Sequence, residues 1–360
     1  MRRLNSSLKF IASTSLSIQM EEWEIEASLL GRFLRLTKEN WDLFFAFLGK
    51  EKDLDSYLTS PVYYALTGRK GLWLYQDGNT YVPVCWHPNV DGQILIFPPR
   101  GEENSKILQK LLTEIPIPPA GIRIARIKKE DIHASFLRDI KCPLGRSVAL
   151  SQIEETVLDW HFPVRTLSTE RVKNMSGSDF MKARNHLKQM KKHKTSVVPL
   201  TPFYDKQVIE FANRWASNRT TNPHEIKELI SPYIETMSLI KDESFRLGGH
   251  IFFVDEKVQA VTMWELPNNA LQIANAWVSL CNAHCNGLSE FVMKTTAEAL
   301  WERGIPYINY GGSETKGLDD YKNKYVPVYS LDLCSIDVAL EGFDPILRSL
   351  IEIQNSRIAA

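Results

Sequence analysis

Three consecutive strand-like segments in the second half of the sequence limit the fold more than any other feature. They are rich in apolar residues, are joined by short turns, and cover residues 245–254, 258–265 and 270–277. Strands connected in this way pair as an antiparallel meander. A helix is predicted next over residues 286–303, followed by a strand over 305–308. This order predicts an α/β fold in which a mixed, mostly antiparallel sheet is flanked by helices.

The first half has a comparable layout. Three aromatic-rich strands, a helix and a further strand are predicted over residues 72–75, 81–86, 93–97, 105–112 and 121–127. Because 360 residues exceed one ordinary domain of roughly 100–200 residues, we expect two domains. We place them at residues 20–150 and 151–340, followed by a C-terminal helix at 341–360. The first domain shows no clustered polar site beyond Arg100 and Gly101, so we interpret it as mainly structural.

The composition is that of a globular protein without a strong overall charge. Hydrophobic residues make up 44% of the chain, and 43 basic residues balance 43 acidic ones. With no net charge to attract nucleic acid, any polyanion site must be local. No run approaches the roughly 18 apolar residues of a membrane-spanning helix. Five scattered cysteines fit a reducing compartment. We therefore expect a cytoplasmic protein with no transmembrane segment.

Residues 1–19 contain three basic residues, several serines and no acid, which is the composition of a transit peptide. The alternative, which we favour, is an upstream start codon with Met20 as the true beginning.

A basic, glycine-containing stretch follows the strand at 305–308. It opens with Asn309 and the pair Gly311 and Gly312, where missing side chains let backbone amides approach an anionic or carbonyl group. Three lysines follow at Lys316, Lys322 and Lys324, and the run after Pro327 alternates like a strand. The pattern predicts a basic loop between two strands that can hold a ligand.

This stretch resembles the C-terminal catalytic domain of the bacterial phosphatidylglycerol lysyltransferases, which are FemABX-like aminoacyl-tRNA-dependent transferases. In that family an Asn or Asp, a glycine pair, a Gly-Leu, a Lys and an aromatic-x-Pro follow at similar spacing. The matching positions are Asn309, Gly311, Gly312, Gly317, Leu318, Lys322, Tyr325 and Pro327. A second match lies within residues 177–186, where Lys182, Arg184 and Asn185 look like the family's basic Lys-x-Arg-Asn segment.

The resemblance covers most of the chain from about residue 30. It implies two GNAT-like (acyl-CoA N-acyltransferase-like) domains in tandem, and transfer of an acyl or aminoacyl group to an amine or hydroxyl. The implied donor is aminoacyl-tRNA, and the implied acceptor is a small molecule, peptide or lipid. No resident cofactor is expected.

The second match opens a helix predicted from Asp179 to Lys194. At about 100° per residue, Arg184, Lys188 and Lys192 share one face. Like charges at this spacing repel one another, so such a helix either faces solvent or meets phosphate. Both alternatives stay open on the residues alone, and the resemblance adds weight to a polyanion.

Transfer from an activated ester needs a positioned acceptor and donors to the tetrahedral oxyanion. The catalytic candidates are Lys322, Asn309, Gly311 and Gly312, and the ordinary alternative for them is a structural turn beside a surface lysine. Asp319, Asp320 and Glu265 are candidate bases or amine anchors, although any one carboxylate is more often simply solvated. The substrate-binding candidates are Lys182, Arg184, Lys188, Lys192, Glu265, Asn275, Gly287, Ser289, Lys316, Gly317, Asp319 and Tyr325.

Two other functions remain as alternatives. The helix after Gly287 has unpaired first-turn amides, which in acetyltransferases hold the pyrophosphate of coenzyme A. An acyl-CoA-dependent N-acyltransferase would use residues 286–290, although a single glycine there weakens this interpretation. The third alternative is a non-catalytic polyanion-binding module. No metal is expected, because Cys281, His284 and Cys285 lack a second ligand pair nearby.

Overall fold

A computed structural model of the protein describes residues 2–101, 104–128, 148–153 and 162–340. The helices in these ranges are α1 (Arg2–Leu29), α2 (Lys38–Leu48), α3 (Pro61–Thr67), α4 (Asn104–Glu114), α5 (Thr169–Asn174), α6 (Met181–Met190), α7 (Asp205–Ser217), α8 (Pro223–Ser238), α9 (Leu288–Trp301) and α10 (Lys316–Asn323). The strands are β1 (Phe33–Arg35), β2 (Leu72–Asp77), β3 (Thr80–Trp86), β4 (Ile94–Ile96), β5 (Ile122–Lys128), β6 (Val148–Ile153), β7 (Val164–Ser168), β8 (Thr195–Pro199), β9 (Leu247–Val254), β10 (Lys257–Glu265), β11 (Ile273–Cys281), β12 (Tyr307–Asn309), β13 (Tyr329–Leu331) and β14 (Leu333–Leu340).

The strands form two seven-stranded sheets with the same architecture. Their orders are β1-β2-β3-β4-β5-β14-β6 and β8-β9-β10-β11-β12-β7-β13. The fourth and fifth strands of each order run parallel, and the other described neighbours are antiparallel. The predicted fold class, mostly antiparallel mixed sheets flanked by helices, is confirmed.

The chain divides into two compact units that are interleaved along the sequence. The second unit comprises Phe45–Tyr63 and Phe162–Leu331, and the remaining stretches form the first. The sequence predicts a linear division at residues 150 and 151 instead. The difference arises because β14 pairs with β5 and β6 of the first sheet, and because Phe45–Tyr63 belongs with the second. The helix expected at 341–360 lies outside the described residues.

The first unit has an apolar interior. Trp23 of α1 makes edge-to-face contacts with Trp73 and Trp86, with ring centroids 5.4 Å and 4.9 Å apart. A row of directly paired residues crosses five of its strands, and every member is buried and apolar. The row consists of Trp73, Val84, Ile96, Ile124 and Ile336.

In the second unit, helices cover both faces of the sheet. Trp264 and Ile308 pack on one face in a cluster that includes residues of α5, α6 and α9. Met263 lies on the other face, where the cluster includes residues of α7 and α8. Because successive residues of a strand point to opposite faces, Glu265 shares the α7 and α8 side with Met263.

Two predicted elements differ from the structure near the proposed site. The predicted loop after Asn309 contains a helix, α10, because Thr315 caps it by accepting the amide N–H of Leu318 at 3.3 Å. The basic helix ends at Met190 rather than Lys194, since Thr195 already pairs with Val254 at the start of β8. Lys192 therefore lies beyond the helix.

Candidate active site

A row of buried polar side chains crosses four strands of the second sheet at one level. The strand register pairs Glu265 with Asn275, Asn275 with Asn309, and Asn309 with Thr166. Directly paired residues share a face of a sheet, so these side chains lie side by side. All four are nearly inaccessible to solvent. Burying so many polar groups is costly unless they are hydrogen-bonded.

Ser56, from the 3-10 turn Ser56–Thr59, joins three members of this row into a hydrogen-bond chain and leaves out the buried Thr166 hydroxyl. The Gly311 amide donates to Asn309 Oδ1 at 2.8 Å, and Asn309 Nδ2 donates to Ser56 Oγ at 3.0 Å. Ser56 Oγ donates to Asn275 Oδ1 at 2.6 Å, and Asn275 Nδ2 donates to Glu265 Oε2 at 3.1 Å. Every donor in the chain thus points from Gly311 toward Glu265.

Glu265 receives further donors, which explains how a carboxylate persists here. Ser60 Oγ and Trp277 Nε1 donate to its Oε2 at 2.5 Å and 3.2 Å, and the Val62 amide donates to Oε1 at 3.2 Å. Burial raises the pKa of Glu265, while these donors oppose the shift. With 1% of Glu265 exposed, the solvated role that is ordinary for a carboxylate does not apply at this position. The carboxylate anchors the polar row instead.

Lys322 lies on α10 and is directed at the glycine pair. Its Nζ donates to the Gly311 carbonyl oxygen at 3.2 Å and also to the carbonyl oxygen of Gly312. Burial lowers the pKa of Lys322 to about 8, whereas the charges of Glu314 and Asp319 act in the opposite direction. The residue is 6% exposed, so it is not the surface lysine of the ordinary alternative. An ammonium has three N–H groups, and these contacts use two of them.

The geometry changes the role expected of the glycine pair. The sequence predicts that both amides are free to contact an oxyanion. In the structure the Gly311 amide is already bonded to Asn309, and the two carbonyl oxygens are turned toward Lys322. The glycines therefore hold the Lys322 ammonium through their carbonyl oxygens.

Asp319 fixes α10 to the sheet through Arg165 of β7. Arg165 Nε donates to Asp319 Oδ1 at 2.9 Å, and Arg165 Nη2 donates to Oδ2 at 3.1 Å. The hydrogen bonds from Arg165 hold the pKa of Asp319 below its ordinary value. Lys316 is exposed and pairs with Asp320 within the helix at 3.0 Å, and Gly317 faces open space. Both residues support the helix without lining a closed site.

The C-terminal end of α10 is attached to α9 through Glu290. Lys324 Nζ donates to Glu290 Oε1 at 2.6 Å, and His186 Nδ1 lies 3.1 Å from the same oxygen. Burial raises the pKa of Glu290, but the hydrogen bond and charge of Lys324 outweigh it, so the pKa lies below its ordinary value. Tyr325 is fully buried, with its hydroxyl 3.3 Å from that of Tyr321. Tyr325 is therefore a core residue.

The start of α9 is occupied by protein groups. Gly287 adopts a φ of 84°, and a Cβ there would lie 2.1 Å from the His186 carbonyl oxygen, so only glycine fits. Ser289 Oγ donates to Glu290 Oε2 at 3.0 Å, and the Ser289 carbonyl accepts from Tyr321 at 3.1 Å. A carboxylate already sits in the first turn, where a phosphate would otherwise bind.

The four basic candidates in α6 and just after it divide into two groups. Arg184 is half-buried, and its Nη1 donates to the carbonyl oxygens of Met175 and Gly177 at 2.6 Å and 2.7 Å. It therefore caps the end of α5, which is a structural role. Lys182, Lys188 and Lys192 are exposed. These three lysines can meet a polyanion without losing an existing ion pair.

Lys192 also lines an open cavity of about 530 Å³ in the second unit. His193, Asp255, Lys257, His284 and Asn286 contribute to the same wall. Lys322 is not among its lining residues. Hydrogen bonds thus connect a group of candidates that consists of Lys322, Gly311, Asn309, Asn275 and Glu265. Lys192 lies elsewhere, at a cavity that Lys322 does not line.

Several residues of the site were not predicted. Ser56 and Ser60 come from a stretch that precedes the first strand meander, and Arg165 is not among the candidates. Glu290 was predicted only as part of a helix opening. Ser60 does precede Pro61, a typical helix start, but no local signal links either serine to the second unit.

Comparison with known proteins identifies the family. The family described as "Phosphatidylglycerol lysyltransferase, C-terminal" matches residues 62–332, which is well over half of the chain. The chain belongs to this family. The match covers Lys322, the glycine pair and the basic helix, and it indicates a transferase. No curated protein sequence matched the chain.

Solved structures with similar folds cover most of the chain. A conserved protein of unknown function from Bacteroides thetaiotaomicron is 17% identical, with a TM-score of 0.61 over 85% of this chain and 99% of its own. L-PGS from Bacillus licheniformis is 11% identical, with a TM-score of 0.53 over 88% and 96%. FemX is 11% identical, with a TM-score of 0.53 over 85% and 96%. These likenesses confirm the tandem GNAT-like fold. Within the described ranges, no helix is both long and apolar enough to cross a bilayer.

Proposed function

We propose that this protein transfers an aminoacyl group from aminoacyl-tRNA to an amine or hydroxyl of an acceptor. The observation that carries the proposal is Lys322, a buried ammonium held by the carbonyl oxygens of Gly311 and Gly312 within the family match. A lysine buried without a salt bridge is costly, and such groups are concentrated at functional sites. The acceptor is a small molecule, peptide or lipid.

The proposed reaction moves one acyl group from the ester oxygen of the donor to the nitrogen or oxygen of the acceptor. The acceptor amine or hydroxyl attacks the ester carbonyl, and a bond forms from its nitrogen or oxygen to the carbonyl carbon. The bond between that carbon and the ribose oxygen then breaks, and the acceptor's proton passes to this oxygen, which leaves as the ribose hydroxyl. The remaining N–H group of Lys322 donates to the carbonyl oxygen as negative charge develops on it. Because the ester is already reactive, positioning supplies most of the rate.

The exposed lysines of the basic segment give the donor a place to bind. Lys182, Lys188 and Lys192 carry no carboxylate partner among the described residues, and each phosphate they contact releases counterions. Binding of tRNA is therefore expected to weaken as salt rises. Arg184 is left out of this role because it caps α5.

The acyl-CoA alternative is less well supported. Glu290 fills the first turn of α9, and the His186 carbonyl closes on Gly287. A pyrophosphate at this helix end would meet a buried carboxylate, and repulsion between like charges disfavours that arrangement.

The test incubates the protein with a pool of charged tRNAs and candidate acceptors, and measures which aminoacyl ester disappears and which product appears. Lys322→Met is expected to lower transfer about 100-fold or more, since it removes the donor to the oxyanion. Lys316→Met, which removes an exposed lysine from the same helix, is the matched control and should transfer normally. In a parallel reaction that contains acyl-CoA in place of charged tRNA, loss of the thioester with no loss of tRNA ester in the first reaction would establish the acyl-CoA alternative. Salt-sensitive tRNA binding with no transfer to any acceptor would establish a binding module.

A further inference from the structure

Ser56 occupies the centre of the hydrogen-bond chain that ends at the glycine pair. It is fully buried, and it precedes the residues that match the family. Its partners Asn275 and Asn309 are 219 and 253 positions away in sequence. The hydrogen-bond chain therefore depends on one hydroxyl, which the Phe45–Tyr63 stretch of the second unit supplies.

The hydrogen-bond chain requires, at the position of Ser56, a group that both donates and accepts a hydrogen bond. Ser56 Oγ donates to Asn275 Oδ1 and accepts from Asn309 Nδ2. Asn309 presents an N–H donor to it and Asn275 presents an oxygen acceptor, so the Ser56 hydroxyl bridges the two amides. The Ser56 carbonyl also accepts from Asn275 Nδ2 at 3.3 Å, which fixes the backbone of the turn. Hydrogen bonds aligned in one direction polarise one another, and the buried Glu265 carboxylate terminates the series.

The other end of the chain reaches Lys322. Gly311 is held at its amide by Asn309 Oδ1 and at its carbonyl oxygen by Lys322 Nζ. The orientation of Asn309 therefore sets the position of the carbonyl groups that hold the ammonium. A shift of about 1 Å in such a group can lower a rate on the order of 100-fold.

We propose that Ser56 is a positioning residue for the transfer reaction: its hydroxyl orients Asn309, and Asn309 holds Gly311 where its carbonyl fixes the Lys322 ammonium. The expected effect on catalysis rests on the proposed function. The hydrogen-bond geometry that it predicts is measurable without any transfer.

The primary variant is Ser56→Ala, which removes one hydroxyl with little change in volume. Amide hydrogen exchange at Gly311 is expected to become about tenfold faster or more, because Asn309 loses the partner that orients it. The titration of Lys322, followed by NMR at its side chain, should move to higher pH as water reaches the loosened loop. In transfer assays kcat should fall roughly 10- to 100-fold while KM for tRNA is unchanged.

Thr59→Val is the matched control. Thr59 is buried in the same turn, and its hydroxyl donates to the Ser56 carbonyl at 2.9 Å, outside the chain. The control should lose some stability but keep normal exchange at Gly311, a normal Lys322 titration and a normal kcat. If Ser56→Ala does not fold, Ser56→Cys keeps a weak donor and should show smaller changes of the same sign.

Normal exchange at Gly311 and a normal Lys322 titration in a folded Ser56 variant would overturn the proposal. Equal changes in the Thr59 control would also overturn it, because they would show a general loosening of the turn. If the wild-type protein transfers no aminoacyl group, the proposed function fails. Exchange and titration would then still decide whether Ser56 positions Lys322.

Discussion

The two sheets differ most at one pair of equivalent positions. Each sheet has a single described parallel strand pair, and the third paired position is Ile96 with Ile124 in the first sheet and Asn275 with Asn309 in the second. The antiparallel neighbours continue the contrast, since Val84 and Ile336 flank the first pair, whereas Glu265 and Thr166 flank the second. The same backbone layout thus carries an apolar row in one unit and a polar row in the other.

This contrast supports the proposal that the second unit carries the chemistry. An apolar row contributes to stability through burial alone, at about 25 cal/mol per Å². A polar row contributes little net stability, because each buried group must be compensated by a hydrogen bond. The second unit keeps this arrangement beside the glycine pair and Lys322. We therefore assign stability to the first row and positioning to the second.

The largest expected effect comes from making the first row polar. Ile124→Asn removes a buried side chain and leaves an amide among apolar neighbours, which should cost about 4 kcal/mol, or roughly a thousandfold in the unfolding equilibrium. Chemical denaturation measures the change. Ile124→Val, which removes one methyl group, should cost only about 1 kcal/mol. Equal stability of Ile124→Asn and wild type would show that the first row is not a packing layer.

The converse substitution should affect transfer more than stability. Asn309→Leu leaves the Gly311 amide and Ser56 without their partner, so we expect kcat to fall on the order of 100-fold. The loss of stability should be about 1–3 kcal/mol, because two buried groups lose a hydrogen bond while apolar surface is gained. Activity per folded molecule separates the two effects. A variant that transfers normally would remove the reason for distinguishing the rows.

The sequence predicts the strands well because both sheets follow alternating or apolar-rich patterns that are local. It predicts the candidates Lys322, Asn309 and Gly311 through the family resemblance, and the structure brings these residues together. It does not predict α10, because the glycines favour a loop and the cap at Thr315 depends on one side chain. It also misses Ser56, whose partners are more than 200 positions away and leave no periodic signal.

The two units should also differ in how pH affects them. The first row contains no titrating side chain, whereas Lys322 has a pKa of about 8 in the second unit. If the ammonium is the donor, kcat should fall about tenfold per pH unit above pH 8. Lys322→Arg, which keeps its charge, should lose this alkaline decline at a lower overall rate.

The titration of Lys322 does not itself destabilise the fold over this range. Lys322 has a lower pKa folded than unfolded, so between about pH 8 and 10 the unfolded chain binds more protons and this group increases stability as pH rises. Denaturation of wild type and Lys322→Met at pH 7.5 and 9, measured beside kcat, tests the sign. The difference between the two proteins separates Lys322 from the buried Cys85 and Cys281, whose raised pKa values act in the opposite direction. A rate that rises through pH 8 would mean that neutral Lys322 acts as a base.

The smallest expected effect concerns donor binding. It tests whether the difference between the two units also includes the exposed lysines of α6 and the residues that follow it. Lys188 and Lys192 are exposed, so replacing both by Ala should leave stability unchanged and should lower the slope of log affinity for tRNA against log salt by about one per lysine. Lys206→Ala with Lys227→Ala removes two exposed lysines from α7 and α8 and is the matched control. If both double variants lower the slope equally, tRNA is held by diffuse charge, and Lys188 and Lys192 do not form a specific binding site.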